Sequence, residues 1–359
     1  MILSENLLEL LPDFQLDSWP VSCEPYGHGH IHASFLVVSA SGRRYLLQKI
    51  NHKIFPDVEE LMENITAVTE FLKLKSKDPR RVLSLVKTCE GSSYLYREQS
   101  YWRLYDFVEN TICLQQPETD DDFYQSAIGF GTFQQMLSDF PVKKLHETIP
   151  AFHDTPERFS TFLEVLKHDS MDRAKFVEPE IDFILSRQSE FDALKSALIS
   201  GDIPLRVTHN DTKLNNVLLD AETRKACCVI DLDTVMPGSS LYDFGDSIRF
   251  GAATAAEDER DLSKMGINLD RFRVFTRGYV HACPDLTRNE HMLLSTGSKI
   301  MTLECGIRFL TDYLEGDHYF SIHRRNQNLD RARTQFKLVA DMERRWNAMQ
   351  RIVKEETSP

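Results

Sequence analysis

The sequence predicts an α+β protein with a small antiparallel β-sheet in its N-terminal part and a larger, mostly helical C-terminal part. Two observations lead to this prediction. In roughly the first hundred residues, short apolar runs of strand length alternate with glycine turns. After about residue 107, long amphipathic segments replace them. A chain of 359 residues is long enough for two or three domains or lobes, and we place the boundary between segments 1–106 and 107–359.

The N-terminal strands are predicted from short apolar runs bounded by turns. Three of these runs come first, namely VSCEPYG, ASFLVVSA and RRYLLQKIN. A helix is predicted next from PDVEELMENITAVTEFLKLK, whose apolar residues repeat with helical spacing. It is followed by RRVLSLVKT, SSYLYREQ and YWRLYDFVEN. Because most of these strands lack crossover helices between them, the β-β-β-α-β-β order predicts an antiparallel sheet that carries a single helix.

The C-terminal part is predicted to be helical, with one β-hairpin. Its amphipathic segments cover 120–138, 156–168, 178–200, 258–282, 287–315 and 328–355. Two short β runs interrupt them, NNVLLD and KACCVID, and the polar turn AETR separates the two runs. This arrangement predicts a hairpin. Since no flexible linker is recognisable, we expect the two parts of the chain to pack directly, with a cleft between them.

Composition and charge exclude several classes of function. The net charge of −13 argues against nucleic acid as a partner, because a polyanion would meet a repulsive surface. No run approaches the roughly 20 apolar residues that a membrane span needs. The first residues, MILSENLLELLPDF, carry acids where a signal peptide has its basic region. We therefore expect a cytoplasmic protein without membrane contact, and we favour a monomer.

The most polar stretch of the chain, VTHNDTKLNNVLLD, leads into the first strand of the hairpin. A hairpin brings its two outer ends together, so Asn216 and Asp231 are predicted to converge beside Asp211. A carboxamide and a carboxylate are oxygen ligands that suit Mg²⁺ bound to substrate phosphates. We expect Asn216 and Asp231 to hold the metal, and Asp211 to accept the proton of an attacking hydroxyl. Lys213 would neutralise charge on the transferred phosphoryl group.

The spacing of His209, Asp211 and Asn216, followed by IDLD, resembles the signature of the aminoglycoside phosphotransferase and choline kinase superfamily, whose members are related to protein kinases. The resemblance implies a protein-kinase-like two-lobed fold that uses ATP and Mg²⁺. By analogy, His209 is interpreted as a buried support of the loop. The letters Asp243-Phe244-Gly245 also match the metal-binding triplet of protein kinases. Because Asp243 is not at a strand end, we assign the metal to Asp231 and predict a structural role for Asp243.

The same resemblance implies a nucleotide site in the N-terminal part. The stretch EPYGHGHIHASFLV occupies the place of the hairpin that covers the phosphates. Glycine there lets the backbone approach a nucleotide without a side-chain clash, and the expected contacts are Gly27, His28 and Gly29. The chain then crosses between the lobes, where backbone groups would bind the adenine edge at Phe107, Val108 and Glu109.

A lysine on the next strand is expected to meet the nucleotide phosphates, but the sequence offers two neighbours for this place. Gln48 fits the alignment with the family, and Lys49 fits the charge. Adjacent residues of a strand face opposite sides, so only one of them enters the cleft. The choice stays open at this stage, as does the helix partner, which is either Glu60 or Glu63.

Three longer stretches are similar to the N-acetylhexosamine 1-kinases of this superfamily: YGHGHIHASFLV, THNDTKLNNVLLD with VIDLDTVMPGSSLYDFGDSIRFGA, and ECGIRFLTDYLEGDHYF. The similarity extends over nearly the whole chain. It implies phosphorylation of the anomeric hydroxyl of N-acetylglucosamine or N-acetylgalactosamine. It also implies that the sugar contacts His30, Asp211, Phe250, Arg308 and Tyr319.

Alternatives remain for the residues and for the function. Glu304, Arg308 and Asp312 have the four-residue spacing of an ion-paired helix surface. The chain could also be another small-molecule kinase of the superfamily, acting on choline, a methylthio sugar, homoserine or an aminoglycoside, or a nucleotide-binding pseudokinase. The sequence does not choose between the gluco and galacto configurations.

Overall fold

A computed structural model of the chain describes residues 7–27 and 31–358. Its N-terminal part contains a six-stranded antiparallel sheet in which the hydrogen-bonded order is β1-β2-β3-β6-β4, with β5 also paired to β6. The strands are β1 Pro20–Pro25, β2 Ala33–Ser39, β3 Arg44–Ile50, β4 Leu85–Val86, β5 Leu95–Arg97 and β6 Ser100–Asp106. This confirms the predicted antiparallel sheet. Each of the three apolar runs after the helix contains a strand, whereas the predicted order had two strands there.

The predicted helix of the N-terminal part is α1, Val58–Lys75. Its N-terminus is defined by Asp57, whose side chain accepts a hydrogen bond from the Glu60 N–H at 3.0 Å. The helix buries the apolar stripe that the sequence pattern predicts, made of Val58, Leu61, Ile65, Val68 and Leu72. This stripe joins the largest hydrophobic core, to which the C-terminal part also contributes.

The C-terminal part is mostly helical, as predicted. Its described helices are α2 Asp120–Met136, α3 Thr155–His168, α4 Glu178–Leu185, α5 Ala193–Ser200, α6 Ser240–Gly251, α7 Leu269–Ala282, α8 Arg288–Glu315, α9 Gln327–Arg344 and α10 Trp346–Glu356. None of the helices within residues 7–27 and 31–358 is long and apolar enough to cross a membrane.

Several helix boundaries differ from the prediction. Segments 178–200 and 328–355 are each divided into two helices, and 258–282 becomes an α-helix only at Leu269. The late start has a local cause, since the Asn268 side chain accepts hydrogen bonds from the N–H groups of Asp270 and Arg271 and so caps α7. Helix α6 was not predicted.

The predicted hairpin is confirmed by β9, Val217–Asp220, and β10, Ala226–Val229, which pair antiparallel with Val217 opposite Val229. The prediction that these are the only strands of the C-terminal part is wrong. Strand β7 extends the hairpin on the β9 side, and β8 pairs with β11. These three strands are Thr111–Cys113, Arg206–Thr208 and Met236–Gly238. The β8–β11 pair matters for the site because it fixes the start of the polar loop.

Helices α6 and α8 approach each other closely at two glycines. A Cβ at Gly245 would lie 2.5 Å from the carbonyl oxygen of Gly297, and a Cβ at Gly297 would lie 2.8 Å from the carbonyl oxygen of Leu241. Both obstacles are backbone atoms, which cannot rotate away as a side chain can. The close approach therefore sets the distance between two helices that carry candidate site residues.

We expect Gly245→Ala to destabilise the protein by about 1–3 kcal/mol, because the added methyl group overpacks a backbone contact. Thermal unfolding followed by circular dichroism measures the effect. Glu164→Ala, at an exposed position of α3, is the control and should change the stability by less than about 0.5 kcal/mol. Equal melting temperatures for the two variants would contradict the close helix contact.

Candidate active site

The polar loop 209–216 follows β8 and is held by buried hydrogen bonds. The Asp243 carboxylate, in the first turn of α6, accepts from the backbone N–H of His209 at 2.9 Å and of Asn210 at 2.7 Å. On its other side, the Asn210 side chain donates to the Thr234 carbonyl at 2.8 Å, and the Thr234 hydroxyl donates to the His209 carbonyl at 2.6 Å. Asp243 thus has a structural role, and the metal-binding role suggested by the letters DFG does not apply.

His209 is fully buried and supports the loop from below. Its Nε2 lies 2.9 Å from the Ile230 carbonyl, which only accepts, and its Nδ1 accepts from the Asp211 N–H at 3.3 Å. One neutral tautomer, protonated at Nε2, satisfies both contacts. The edges of the ring pack against Phe130 and Phe133. The imidazole joins the loop to the end of β10 and offers no free nitrogen for catalysis.

Asp211 is the carboxylate that the loop presents, and 27% of its side chain is exposed. The Lys213 ammonium donates to Oδ1 at 2.9 Å, and the Asn216 amide nitrogen donates to Oδ2 at 3.1 Å and to the Asp211 carbonyl at 2.8 Å. Burial opposes ionisation, but the neighbouring Lys213 charge holds the pKa of Asp211 below its usual value. In return, Asp211 raises the pKa of Lys213. The pair is ionised, and Asp211 can accept a hydrogen bond from a ligand.

Asn216 and Asp231 lie side by side at the open end of the hairpin. The Ile230 N–H donates to the Asn216 carbonyl at 2.9 Å, which brings the next residue, Asp231, to the same place. Asp231 is exposed and has the left-handed φ of 62°. Desolvation of the Asp231 carboxyl group and the negative charges of Asp233 and Asp211 raise the pKa of Asp231.

The donor set at this end of the hairpin suits a hard cation. The amide nitrogen of Asn216 donates to Asp211. None of the described residues donates a hydrogen bond to the Oδ1 of Asn216. In residues 7–27 and 31–358, no group of three His, Cys, Asp or Glu side chains is arranged for a metal. A cation here would therefore depend on Asn216, Asp231 and the oxygens of a ligand, which is how Mg²⁺ is commonly bound with phosphates.

A buried ion pair that the sequence analysis missed lies behind Asp231. Arg103 of β6 donates through Nη1 and Nη2 to the two carboxylate oxygens of Asp233, at 2.5 and 2.7 Å. The Arg103 and Asp233 side chains are 1% and 3% exposed. The only signals in the sequence are a charged residue within the apolar run YWRLYDF and the second acid of IDLD.

Gln48 and Lys49 lie on opposite faces of the sheet, and Gln48 is the one on the face of Arg103. Gln48 lies opposite Arg103 in the β3–β6 register, and its Oε1 accepts from Arg103 Nε at 2.9 Å. Lys49 is exposed on the other face, with Nζ 5.5 Å from the centre of the Trp102 ring. Among the described residues, neither candidate glutamate of α1 forms a hydrogen bond or an ion pair with Gln48 or Lys49. Both instead face His146, with Glu63 Oε2 2.8 Å from Nε2 and Glu60 Oε1 3.5 Å from Nδ1.

The remaining nucleotide candidates lie around the first hairpin and the crossing between the two parts. Gly27 has a φ of +79°, which favours glycine, whereas His28, Gly29 and His30 lie outside the described residues. The Phe107 ring meets the Tyr26 ring edge at 5.6 Å. The carbonyl of Val108 accepts from the Thr111 hydroxyl at 2.9 Å, and the Glu109 carboxylate accepts from Arg44.

On the opposite side of the loop, Arg308 of α8 is surrounded by aromatic rings. Its guanidinium carbon lies 5.1 to 5.8 Å from three ring centres, those of Phe152, Tyr319 and Phe320. The Tyr319 hydroxyl is 3.5 Å from Nη2, and the tyrosine itself is 63% exposed. None of the described carboxylates lies within ion-pair distance of Arg308. The ion-paired stripe considered above is therefore wrong.

The two acids of that stripe have other partners. Asp312 accepts from the backbone N–H groups of residues 318–320, which anchors the segment carrying Tyr319. Glu304 accepts from the Thr155 hydroxyl at 2.6 Å and lies 2.8 Å from Nδ1 of His153. These contacts position the segments around Arg308.

His153 joins this region to the polar loop, and the sequence analysis missed it. Its Nε2 is 3.1 Å from the Asn210 carbonyl, and its Nδ1 faces Glu304. Burial opposes ionisation of Glu304, but the neighbouring His153 charge lowers the pKa of that carboxyl. Both imidazole nitrogens thus face oxygen atoms, and His153 joins the Glu304 side chain to the backbone of the polar loop.

Phe250 lies half-buried at the end of α6, and none of its described contacts connects it to Arg308. Its neighbour Arg249 is paired with Asp246 at 2.8 Å and with Glu257 at 2.6 Å. A cavity of about 70 Å³ between α1, α2 and β10 contains none of the polar site residues and is too small for a drug-sized ligand, whose pockets span about 300–1,000 Å³.

The buried carboxyl of Asp243 predicts a specific pH dependence. Burial raises its pKa from 3.8 to about 6, so between these values the folded state binds more protons than the unfolded state. The contribution to stability is complete below the lower value and is lost as the pH rises through the higher one. From pH 4.5 to 7 the wild type should lose on the order of 2 kcal/mol relative to Asp243→Asn.

Urea unfolding at a series of pH values measures this difference. Asp182→Asn, at an exposed position of α4, is the control and should run parallel to the wild type. Parallel curves for Asp243→Asn would show that the buried carboxyl does not titrate in this range.

Comparison with known proteins places this geometry in a family. The model of the family described as "APH: Phosphotransferase enzyme family" matches residues 22–275. Among solved structures, a microcompartment-associated aminopropanol kinase is 14% identical with a TM-score of 0.59, covering 96% of this chain and 98% of that one. The amicoumacin kinase hAmiN in complex with AMP-PNP, Ca²⁺ and Ami is 11% identical with a TM-score of 0.60, covering 93% and 92%.

An ethanolamine kinase from Plasmodium vivax is 15% identical with a TM-score of 0.55, covering 86% of this chain and 80% of that one. At these identities the structural matches show the fold alone, and they confirm the kinase-like architecture. The family match covers well over half of the 359 residues, and this chain therefore belongs to the APH phosphotransferase enzyme family.

Proposed function

We propose that this enzyme transfers the γ-phosphoryl group of ATP to the anomeric (C1) hydroxyl of an N-acetylhexosamine, N-acetylglucosamine or N-acetylgalactosamine. The observation that supports this acceptor is the environment of Arg308, a guanidinium among three aromatic rings with no described carboxylate partner. Arg158 lies nearby, donating to the Phe152 carbonyl, and its pKa is lowered by burial and by the Arg308 charge. Two guanidinium groups therefore lie on this side of the loop, with the Glu304 carboxyl as a neighbouring acid.

A neutral sugar fits such a surface better than an amine. A guanidinium offers only donors, which match the hydroxyl and carbonyl oxygens of an acetamido sugar, and an aromatic ring can cover the sugar face or the acetyl methyl group. An ammonium acceptor would need carboxylates or an aromatic cage. Here the rings of Phe152, Tyr319 and Phe320 already surround a cation, so a second cation would be repelled.

The roles of the loop residues follow from their contacts. Asp211 accepts the proton of the attacking hydroxyl, and Lys213 keeps this carboxylate ionised and balances the charge of the transferred group. Asn216 and Asp231 would hold Mg²⁺, which when bound neutralises charge on the phosphates. Rate enhancement would come mainly from orientation in a preorganised site. Gly27 and Gln48 of segment 1–106, together with the backbone at 107–109, are assigned to the nucleotide. The rest of segment 107–359 is assigned to catalysis and the sugar.

A panel of acceptors tests the proposal. The purified enzyme is incubated with ATP, Mg²⁺ and either N-acetylglucosamine, N-acetylgalactosamine, glucose, choline, ethanolamine or an aminoglycoside, and the position of the phosphate is determined by ³¹P NMR. We expect a 1-phosphate from the two N-acetylhexosamines. Efficient phosphorylation of an amine alone, or phosphate at another sugar hydroxyl, would refute the proposed acceptor but leave the kinase assignment in place.

Asp211→Asn should lower kcat by about two to four orders of magnitude, because the general base is removed. Sugar binding, measured by isothermal titration calorimetry, should change little. Asp231→Ala is the contrasting variant, since it should instead abolish the effect of Mg²⁺ on nucleotide binding. Near-normal turnover by Asp211→Asn would show that another group accepts the proton.

A further inference from the structure

The cleft-facing side of β3 and β6 lacks the lysine that the family resemblance leads one to expect. Gln48 occupies the candidate place on β3, and Lys49 points away from it. The cation on this face is Arg103, which lies directly across from Gln48 in the sheet. Its guanidinium extends from the N-terminal sheet to Asp233, in the C-terminal part. The positive charge is thus present, but it comes from the neighbouring strand.

Arg103 and Asp233 belong to a continuous chain of contacts between the two parts. Gln48 accepts from Arg103 through Oε1 and donates through Nε2 to the Ser34 hydroxyl at 3.1 Å, which extends the chain of contacts to β2. Asp233 is also approached by His32, whose Nε2 lies 3.3 Å from Oδ1. Because His32 Nδ1 accepts from the Asn51 N–H, its Nε2 carries the proton and faces the carboxylate.

The position of Asp233 gives these contacts a consequence for the site. Asp233 follows Asp231 by two residues, within the same short turn. A left-handed non-glycine residue costs energy and persists only where its surroundings fix it, and Asp231 is such a residue. The paired oxygens of Asp233 match the planar fork of arginine at two points, which fixes orientation as well as distance.

We propose that Arg103 is a positioning residue that fixes the Asp231 turn for binding of the magnesium nucleotide. Arg103 itself is too deeply buried to contact a ligand, so it acts through Asp233. This inference rests on the proposed function because it assumes that the site binds a magnesium nucleotide. It does not depend on the identity of the acceptor.

Substitution of Arg103 and Asp233 tests the inference, with the full-length enzyme and AMP-PNP as the nucleotide. We expect Arg103→Lys and Asp233→Asn to weaken binding of AMP-PNP in the presence of Mg²⁺ by about tenfold or more, because each removes the two-point contact. Binding of AMP-PNP without Mg²⁺ and binding of the sugar, both measured by calorimetry, should change by less than about threefold. In turnover assays, KM for the magnesium nucleotide should rise while KM for the acceptor stays constant.

A matched ion pair controls for a purely structural effect. Arg206 and Glu290 also form a buried two-point pair, in which Nε and Nη2 donate at 2.6 and 2.8 Å, at the far end of β8 from the loop. Arg206→Lys and Glu290→Gln should lower the melting temperature but leave the Mg²⁺-dependent affinity unchanged. If they weaken this affinity as much as the substitutions at Arg103 and Asp233 do, the positioning role is refuted.

A double variant distinguishes the loss of positioning from the effect of leaving one buried charge without its partner. Arg103→Met with Asp233→Asn leaves neither a buried cation nor a buried anion, so part of the lost stability should return. The Mg²⁺-dependent affinity should stay low, and its recovery would refute the inference.

If the single variants lose this affinity but no N-acetylhexosamine is phosphorylated, only the proposed acceptor fails. If the wild type shows no Mg²⁺-dependent nucleotide binding, both proposals fail.

Discussion

The buried carboxylate of Asp243 is the constraint on which the candidate site depends. It accepts from two successive N–H groups of the polar loop, and Asn210 has the left-handed φ of 64° that turns the chain there. Leaving two buried N–H groups without partners would cost about 1–3 kcal/mol each. The loop conformation that presents Asp211 is therefore fixed from α6, and α6 is in turn fixed against α8 by the glycine contact.

The carboxylates around the loop differ in their partners. Asp211 is paired with Lys213, and Asp233 is paired with Arg103. Desolvation and the carboxylates of Asp233 and Asp211 raise the pKa of Asp231, and none of the described cations forms an ion pair with it. An unpaired carboxylate beside two others is unfavourable without a cation. This arrangement supports the proposal that Asp231 and Asn216 hold the metal.

The sequence predicted the parts of this site that are local and missed those that are not. The hairpin and the adjacency of Asn216 to Asp231 depend on residues close in the chain, and alternation with a polar turn was enough to predict them. Helix α6, SLYDFGDSIRFG, contains two glycines in twelve residues, and glycine is a poor helix former, so the local helix signal is weak. The Arg103–Asp233 and His153–Glu304 pairs join residues 130 and 151 positions apart, and no local pattern connects partners at such separations. Strand alternation showed that Gln48 and Lys49 face opposite ways, but only the register with β6 shows which one faces Arg103.

The distribution of cations explains how a chain with a net charge of −13 can belong to a family of phosphoryl-transferring enzymes. Lys213, Arg103 and Arg249 all lie around the loop, but each is matched by an acid, so these cations stabilise the loop without attracting anions strongly. Arg308 differs from them because aromatic rings surround it in place of carboxylates. A guanidinium in such surroundings keeps its donors free for a ligand's oxygens. These surroundings of Arg308 are the reason for proposing an oxygen-rich, uncharged acceptor in preference to an amine.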